Sequence, residues 1–121
     1  MSNPILLIDD SPSIRMLMRA VLERENFKIV EAVDGEDAVT KLDGQPLSLI
    51  VSDVSMPRMD GLSLLRYVRQ HPNYKATPVL MLTTESRVDV KEAARQQGAQ
   101  GFLKKPCTPT QLVAAVQRLA R

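Results

Sequence analysis

The chain has 121 residues, 44% hydrophobic and 25% charged, with a formal net charge of +2 at neutral pH. That length fits one domain that buries a core without disulfide or metal staples, and it leaves no room for a second. The composition excludes disordered and collagen-like chains, and so small a charge, with only two Phe and two Tyr to stack on bases, argues against nucleic acid as a partner.

No apolar run nears the roughly 18 residues of a membrane span. Residues 1 to 9 lack the pattern of a signal peptide, and a single cysteine, Cys107, suits a reducing compartment. A cytoplasmic protein without membrane contacts is therefore expected.

In chain order, Ile5 to Ile8 is a continuous apolar run ending in Asp9-Asp10, followed by Ser11-Pro12, a helix cap with proline at the first helical position. Ile14, Leu17, Met18, Val21 and Leu22 then recur at the spacing of one apolar helix face, with Arg15, Arg19 and Glu23 on the other side. Phe27 to Ala32 reads as a strand, Asp34-Gly35 as a turn, and Ala38, Val39 and Leu42 as a short helix stopped by Gly44-Gln45-Pro46. A third strand covers Leu47 to Ser52. A third helix runs over roughly Leu62 to Gln70, with Leu62, Leu65 and Val68 inward, and closes at His71-Pro72, where the histidine is expected to be solvated. The fourth strand is Val79 to Leu82, the fourth helix about Arg87 to Gln97, and the fifth strand Gly101 to Leu103. Thr108-Pro109 caps a fifth helix running to about Leu119.

Strands that alternate with helices, at least three of them apolar throughout, call for a parallel sheet covered on both faces: a doubly wound α/β fold. Ligands of such sheets sit outside the carboxyl ends of the strands. The residues found there are Asp9 and Asp10, Asp53, Thr83-Thr84 and Lys104-Lys105. Three crowded carboxylates repel unless a cation compensates them. Lys105 supplies one charge, and oxygen ligands without His or Cys suit Mg2+, which keeps several waters and accepts a phosphate oxygen. Such a cation, an ammonium and a hydroxyl around one carboxylate are the parts that place a phosphoryl group, with the carboxylate as nucleophile.

The stretches LLIDDSPSIRMLM, SDVSMPRMDG, PVLMLTTES and GFLKKP lie in the order and at the separations of one known family. On them the whole chain resembles the receiver domain of two-component response regulators, of the single-domain CheY type. The resemblance implies a flavodoxin-like (βα)5 fold with strand order 2-1-3-4-5, and one receiver domain over residues 1–121 without an output domain. It implies that Asp53 is the phosphoacceptor, Asp10 a direct Mg2+ ligand, Asp9 a ligand through water, and the Ser55 carbonyl a further ligand. Thr83 would bond the phosphoryl oxygen, Lys105 would pair with it, and the Lys105-Pro106 bond would be cis. Phe102 takes the place of an aromatic that swings inward with Thr83, although a plain core residue or strand-end hydroxyl would look the same in sequence. Ser55 and Glu85 border the path of a hydrolytic water, Thr84 narrows the approach to Asp53, and Cys107 is read as packing. Lys104 is expected to be solvated, Thr84 to lie at the rim of the site, and Met56 and Met59 to fix their loop by packing.

The implied function is a signalling switch. Asp53 takes a phosphoryl group from a histidine kinase, and the modified monomer binds a downstream protein in chemotaxis, a flagellar motor component foremost. Arg87, Lys91 and Arg95 form a basic stripe that is either a solvated face or, with the fifth strand and fifth helix, a docking surface for an acidic partner. A phosphoryl sink or relay carrier without an effector is the alternative. A rival of another class, a Mg2+-dependent phosphohydrolase with an aspartate nucleophile, is disfavoured because Ser55 stands where its second aspartate belongs. The chain is thus read as a phosphoacceptor rather than an enzyme acting on others.

Overall fold

The computed structural model describes residues 3–56, 58–84 and 88–121. The elements alternate strictly: β1 (Ile5–Ile8), α1 (Pro12–Arg24), β2 (Ile29–Ala32), α2 (Gly35–Lys41), β3 (Leu49–Asp53), α3 (Gly61–Gln70), β4 (Val79–Thr83), α4 (Val88–Gln96), β5 (Gly101–Lys104) and α5 (Pro109–Leu119). The strands form one parallel sheet in the order β2-β1-β3-β4-β5, the order implied by the family resemblance. Among the described residues no helix is long and apolar enough to cross a membrane.

The central strands are apolar throughout because both of their faces are covered. Leu6, Ile8, Ile50, Val79 and Met81 point to one side, where they meet Ala38 and Leu42 beside α2, Leu64, Leu65 and Val68 of α3, and Ala94 of α4. Their neighbours Ile5, Leu7, Leu49, Val51, Leu80 and Leu82 point to the other side, against Met18, Val21 and Leu22 of α1 and Leu112, Ala115 and Val116 of α5. Each fully buried Leu or Ile contributes roughly 1.5–3 kcal/mol relative to exposure, so a charged residue inside these runs would be strongly disfavoured. The carboxylates stand where the runs stop.

Side-chain caps fix where the helices begin. Ser11 accepts from the Ile14 amide, Asp34 from Asp37 and Asp60 from Ser63, while Thr108 and Gln111 form a reciprocal capping box at α5.

Three expectations need correction. Ile14 and Leu17 are 37% and 60% exposed, so the inward face of α1 reduces to Met18, Val21 and Leu22. The inward arc is instead turned toward Arg15, which the sequence placed on the outer side and whose side chain is only 14% exposed against Glu31 of β2. His71 is half-buried, its ring 5.9 Å from that of Tyr67 and 4.8 Å from that of Tyr74, and its Nδ1 accepts from the Asn73 amide. β2 starts at Ile29 rather than Phe27, and β3 spans Leu49 to Asp53 rather than Leu47 to Ser52. Thr83 and Lys104 also belong to their strands. Glu85 and Arg87, both singled out in the sequence, lie outside the described residues.

Candidate phosphoacceptor site

Strand register builds the site. Ile8 stands opposite Ser52, so the next residues, Asp9 and Asp53, emerge side by side at the carboxyl edge of the sheet. Asp53 is opposite Leu82, and Thr83, one step on, is opposite Lys104. The chain then passes through a cis Lys105-Pro106 bond, and the Lys105 amide donates to the Thr83 carbonyl at 2.6 Å.

The side chains converge. Carboxylate oxygens of Asp9, Asp10 and Asp53 lie within 4.8 Å of one another. Lys105 Nζ bridges two of them, donating to Asp9 Oδ2 at 3.1 Å and to Asp53 Oδ2 at 3.2 Å. Asp9 is fully buried and Asp53 nearly so, while Asp10 is exposed. The Ser11 amide holds Asp9 Oδ1 at 2.9 Å, and the Ser55 amide holds Asp53 Oδ1 at 3.3 Å. Thr83 is buried at the same edge.

The electrostatics follow from burial against pairing. Burial pushes the Asp53 carboxyl above the usual carboxylate range; Lys105 pulls it back in part by charge and hydrogen bond, and the Asp9 charge adds to the rise. Burial opposes the charged form of Lys105, but the hydrogen bond to Asp9 and the charges of both acids outweigh it and hold the pKa above the ordinary lysine value. With three carboxylates against one ammonium, the cluster carries uncompensated negative charge. Its donors are all oxygen, the set that a hard divalent cation takes. The residues present fit Mg2+.

The loop from β3 to α3 is tied to the start of α2. Arg58 donates from Nε to Asp34 Oδ2 at 2.8 Å, and Nη2 meets the same oxygen. A Cβ on Gly35 would come within 2.4 Å of the Met59 carbonyl. Met56 and Met59 pack on the core beneath this loop, as expected from the sequence. A backbone amide of Asp37, ahead of the Arg58 guanidinium, holds the buried Asp34 carboxyl below the usual carboxylate range despite its desolvation.

Thr84 and Lys104 are exposed, as expected. Phe102 is half-buried and packs at the edge of the α2-α3-α4 core. It borders a recess of about 220 Å³ whose lining includes Lys91, Arg95 and Arg118. Arg118 was not marked in the sequence, because a lone arginine near a chain end has no local signal. The sequence also gave no sign that Asp34 and Arg58 pair, since neither sits in a periodic pattern with the other.

Residues 5–117 match the response regulator receiver domain, and the chain belongs to that family. Receiver domains are the phosphoaccepting modules of two-component signalling. The chain is 37% identical to chemotaxis protein CheY4 of Vibrio cholerae, whose crystal structure superposes with a TM-score of 0.93 and a match covering 98% of this chain and 99% of that one. It is 36% identical over 121 residues to the transcriptional regulatory protein SrrA of Staphylococcus aureus, and spans 49% of that relative, about half its length. The receiver domain of the sensor histidine kinase PA1611 of Pseudomonas aeruginosa, solved with a magnesium ion in its active-site cleft, is 28% identical with a TM-score of 0.89 and a match covering 98% of each chain.

Proposed function

We propose that Asp53 is the phosphoacceptor of this receiver, that it takes its phosphoryl group from a histidine kinase in the cytoplasm, and that the phosphorylated form binds a downstream protein. The observation that carries this reading is the Lys105 ammonium bridging Asp9 and Asp53, with Asp10 alongside.

In the transfer, an Asp53 carboxylate oxygen forms the new bond to phosphorus as the phosphorus–nitrogen bond of the donor phosphohistidine breaks, and the imidazole leaves with the electron pair. Asp9, Asp10 and Asp53, with the Ser55 carbonyl, would hold Mg2+, which when bound neutralises charge on the phosphoryl oxygens. Lys105 supplies a fixed positive charge at 3.2 Å from the acceptor, where negative charge accumulates on transfer. Once Asp53 is phosphorylated, as an acyl phosphate, its oxygen is a weaker partner for Lys105, freeing the ammonium to pair with the phosphoryl group. Thr83, buried at the same edge, would donate to a phosphoryl oxygen, and a shift of β4 would reach Phe102 through the Met81–Phe102 register.

The output surface in this reading is the α4-β5-α5 face, where Lys91, Arg95 and Arg118 surround the recess beside Phe102 and favour an acidic partner. Likeness to CheY4 along nearly the whole of both chains supports a chemotaxis output such as a flagellar motor component. Likeness to SrrA supports a second destination, transcriptional output. A phosphoryl sink with no effector is the remaining role.

Incubation with acetyl phosphate and Mg2+ should add one phosphoryl group by intact mass, absent in Asp53→Asn; an unchanged adduct in that variant would reassign the acceptor. Pull-down with the beryllofluoride-activated chain against the unactivated form identifies the output, and Lys91→Glu should weaken capture of an acidic partner. Capture of nothing by the activated form favours the sink.

A further inference from the structure

Arg15 sits on α1, four residues after the cap Ser11, with its side chain only 14% exposed. Its guanidinium makes two contacts at once. Nη1 donates to the main-chain oxygen of Asp9 at 2.6 Å, and Nε donates to Glu31 Oε1 at 2.8 Å, on the edge strand β2. Arg19 binds the other Glu31 oxygen.

The oxygen that Arg15 grips belongs to the peptide joining Asp9 to Asp10. That unit is planar and rigid, so holding its oxygen orients both flanking α-carbons, from which the two carboxylates spring. The Asp9 amide is held separately by the Ala32 carbonyl at 3.2 Å, and the Asp9 carboxylate by the Ser11 amide. Arg15 supplies the restraint that these two leave out. A tie between α1 and β2 does not require it, since Arg19 already provides one.

We infer that Arg15 is a positioning residue for the divalent-cation site, locking the Asp9-Asp10 peptide while Glu31 aims its guanidinium. This rests on reading Asp9, Asp10 and Asp53 as that site. Charge and positioning predict opposite signs here. A guanidinium near a cation site repels the cation, so on charge alone its removal would tighten binding. As a positioning group, its removal loosens binding.

The test is calorimetric titration of the full chain with MgCl2, beside circular dichroism to confirm folding. Arg15→Ala should bind Mg2+ about tenfold more weakly, the usual scale for losing an outer-shell partner. Arg15→Lys should recover part of the loss, because an ammonium reaches the carbonyl but cannot also span to Glu31 as a planar fork does. Glu31→Gln should weaken binding in the wild-type background and add nothing to Arg15→Ala. Phosphorylation by acetyl phosphate in Arg15→Ala should approach the wild-type rate at saturating Mg2+ and fall behind below it. Equal or tighter Mg2+ binding by Arg15→Ala overturns the inference. Should that variant fail to fold, Arg15→Lys decides: a several-fold loss supports the role, and unchanged affinity overturns it. A wild-type chain that takes up no Mg2+ removes the cation-site reading, and this inference with it.

Discussion

Lys105 Nζ lies 3.2 Å from Asp53 Oδ2, a pair of residues 52 positions apart in the chain that meet at the carboxyl edge of the sheet. The same ammonium reaches Asp9, so one cation separates two buried acids that would otherwise repel. Lys105→Ala should therefore fold but lose roughly 3 kcal/mol in Mg2+-free buffer, the lower end of the range for removing one partner of a buried ion pair. Mg2+ should then raise its Tm by more than it raises that of the wild type, because the cation restores the missing compensation. Thermal melts across millimolar MgCl2 check this. An equal response in both proteins would mean that the lysine and the cation do not share the same negative charge.

Asp34 and Asp53, both buried, should show opposite pH behaviour. The Asp53 pKa is raised by burial, so its ionised form opposes folding at neutral pH, and that penalty fades as pH falls through its folded pKa. Asp53→Asn should raise Tm by roughly 3–6 °C at pH 7 without Mg2+ and by less near pH 3.5. The Asp34 pKa is lowered, chiefly by the Asp37 amide and with help from Arg58. Its contribution is present above the ordinary carboxylate range and is lost as pH falls through the folded pKa. Asp34→Asn should lower Tm at pH 7, with the gap closing in acid. Melts at both pH values, compared with the wild type, decide both signs.

A Cβ on Gly61 would meet the Asp53 carbonyl at 2.3 Å and the Val54 α-carbon at 2.8 Å. Neither backbone atom moves without moving Asp53. Gly61→Ala should destabilise by roughly 1–3 kcal/mol, the usual range for overpacking, and slow phosphorylation by acetyl phosphate about tenfold or more, since small misplacements of reacting groups act strongly on rate. Gly35→Ala is the comparison: its Cβ strikes Met59, so urea melts should show a similar loss of stability with a milder loss of rate.

Arg69 holds the carbonyls of Thr77 and Gly98, at 2.7 Å each, together with the Gln100 side chain. Burial lowers its pKa below the ordinary arginine value, and the nearby Arg121 adds to the effect. Arg69→Ala leaves part-buried carbonyls without their donor and should cost about 2 kcal/mol, measurable as a lower urea midpoint. Local hydrogen exchange should rise where α4 passes into β5.

Much of the site was legible before any fold was known, because burial and catalysis write themselves differently into a strand. The apolar runs ILLI and LIV give way to acids, directly at Asp9 and one serine later at Asp53, and a carboxylate at the end of a buried strand requires a partner. Helix starts were equally legible at Ser11-Pro12 and Thr108-Pro109, where a side-chain oxygen and a fixed φ act locally. The inward face of α1 was less so: Ile14 and Leu17 have the spacing of a core face, but spacing does not record which way the helix is turned toward its neighbours. His71 looked solvated beside its proline because the two tyrosines around it come together only in space.

By itself the sequence determined which polar residues end the apolar runs and which segments must be strands, since apolar periodicity and capping act over a few residues. Tertiary structure alone decided that Ile8 faces Ser52, that Lys105 reaches across to both acids, and that Arg15 turns back to the Asp9 carbonyl. These relations depend on strand register and on the direction in which a side chain leaves its helix, and both are set by packing between distant segments rather than by neighbours in the chain.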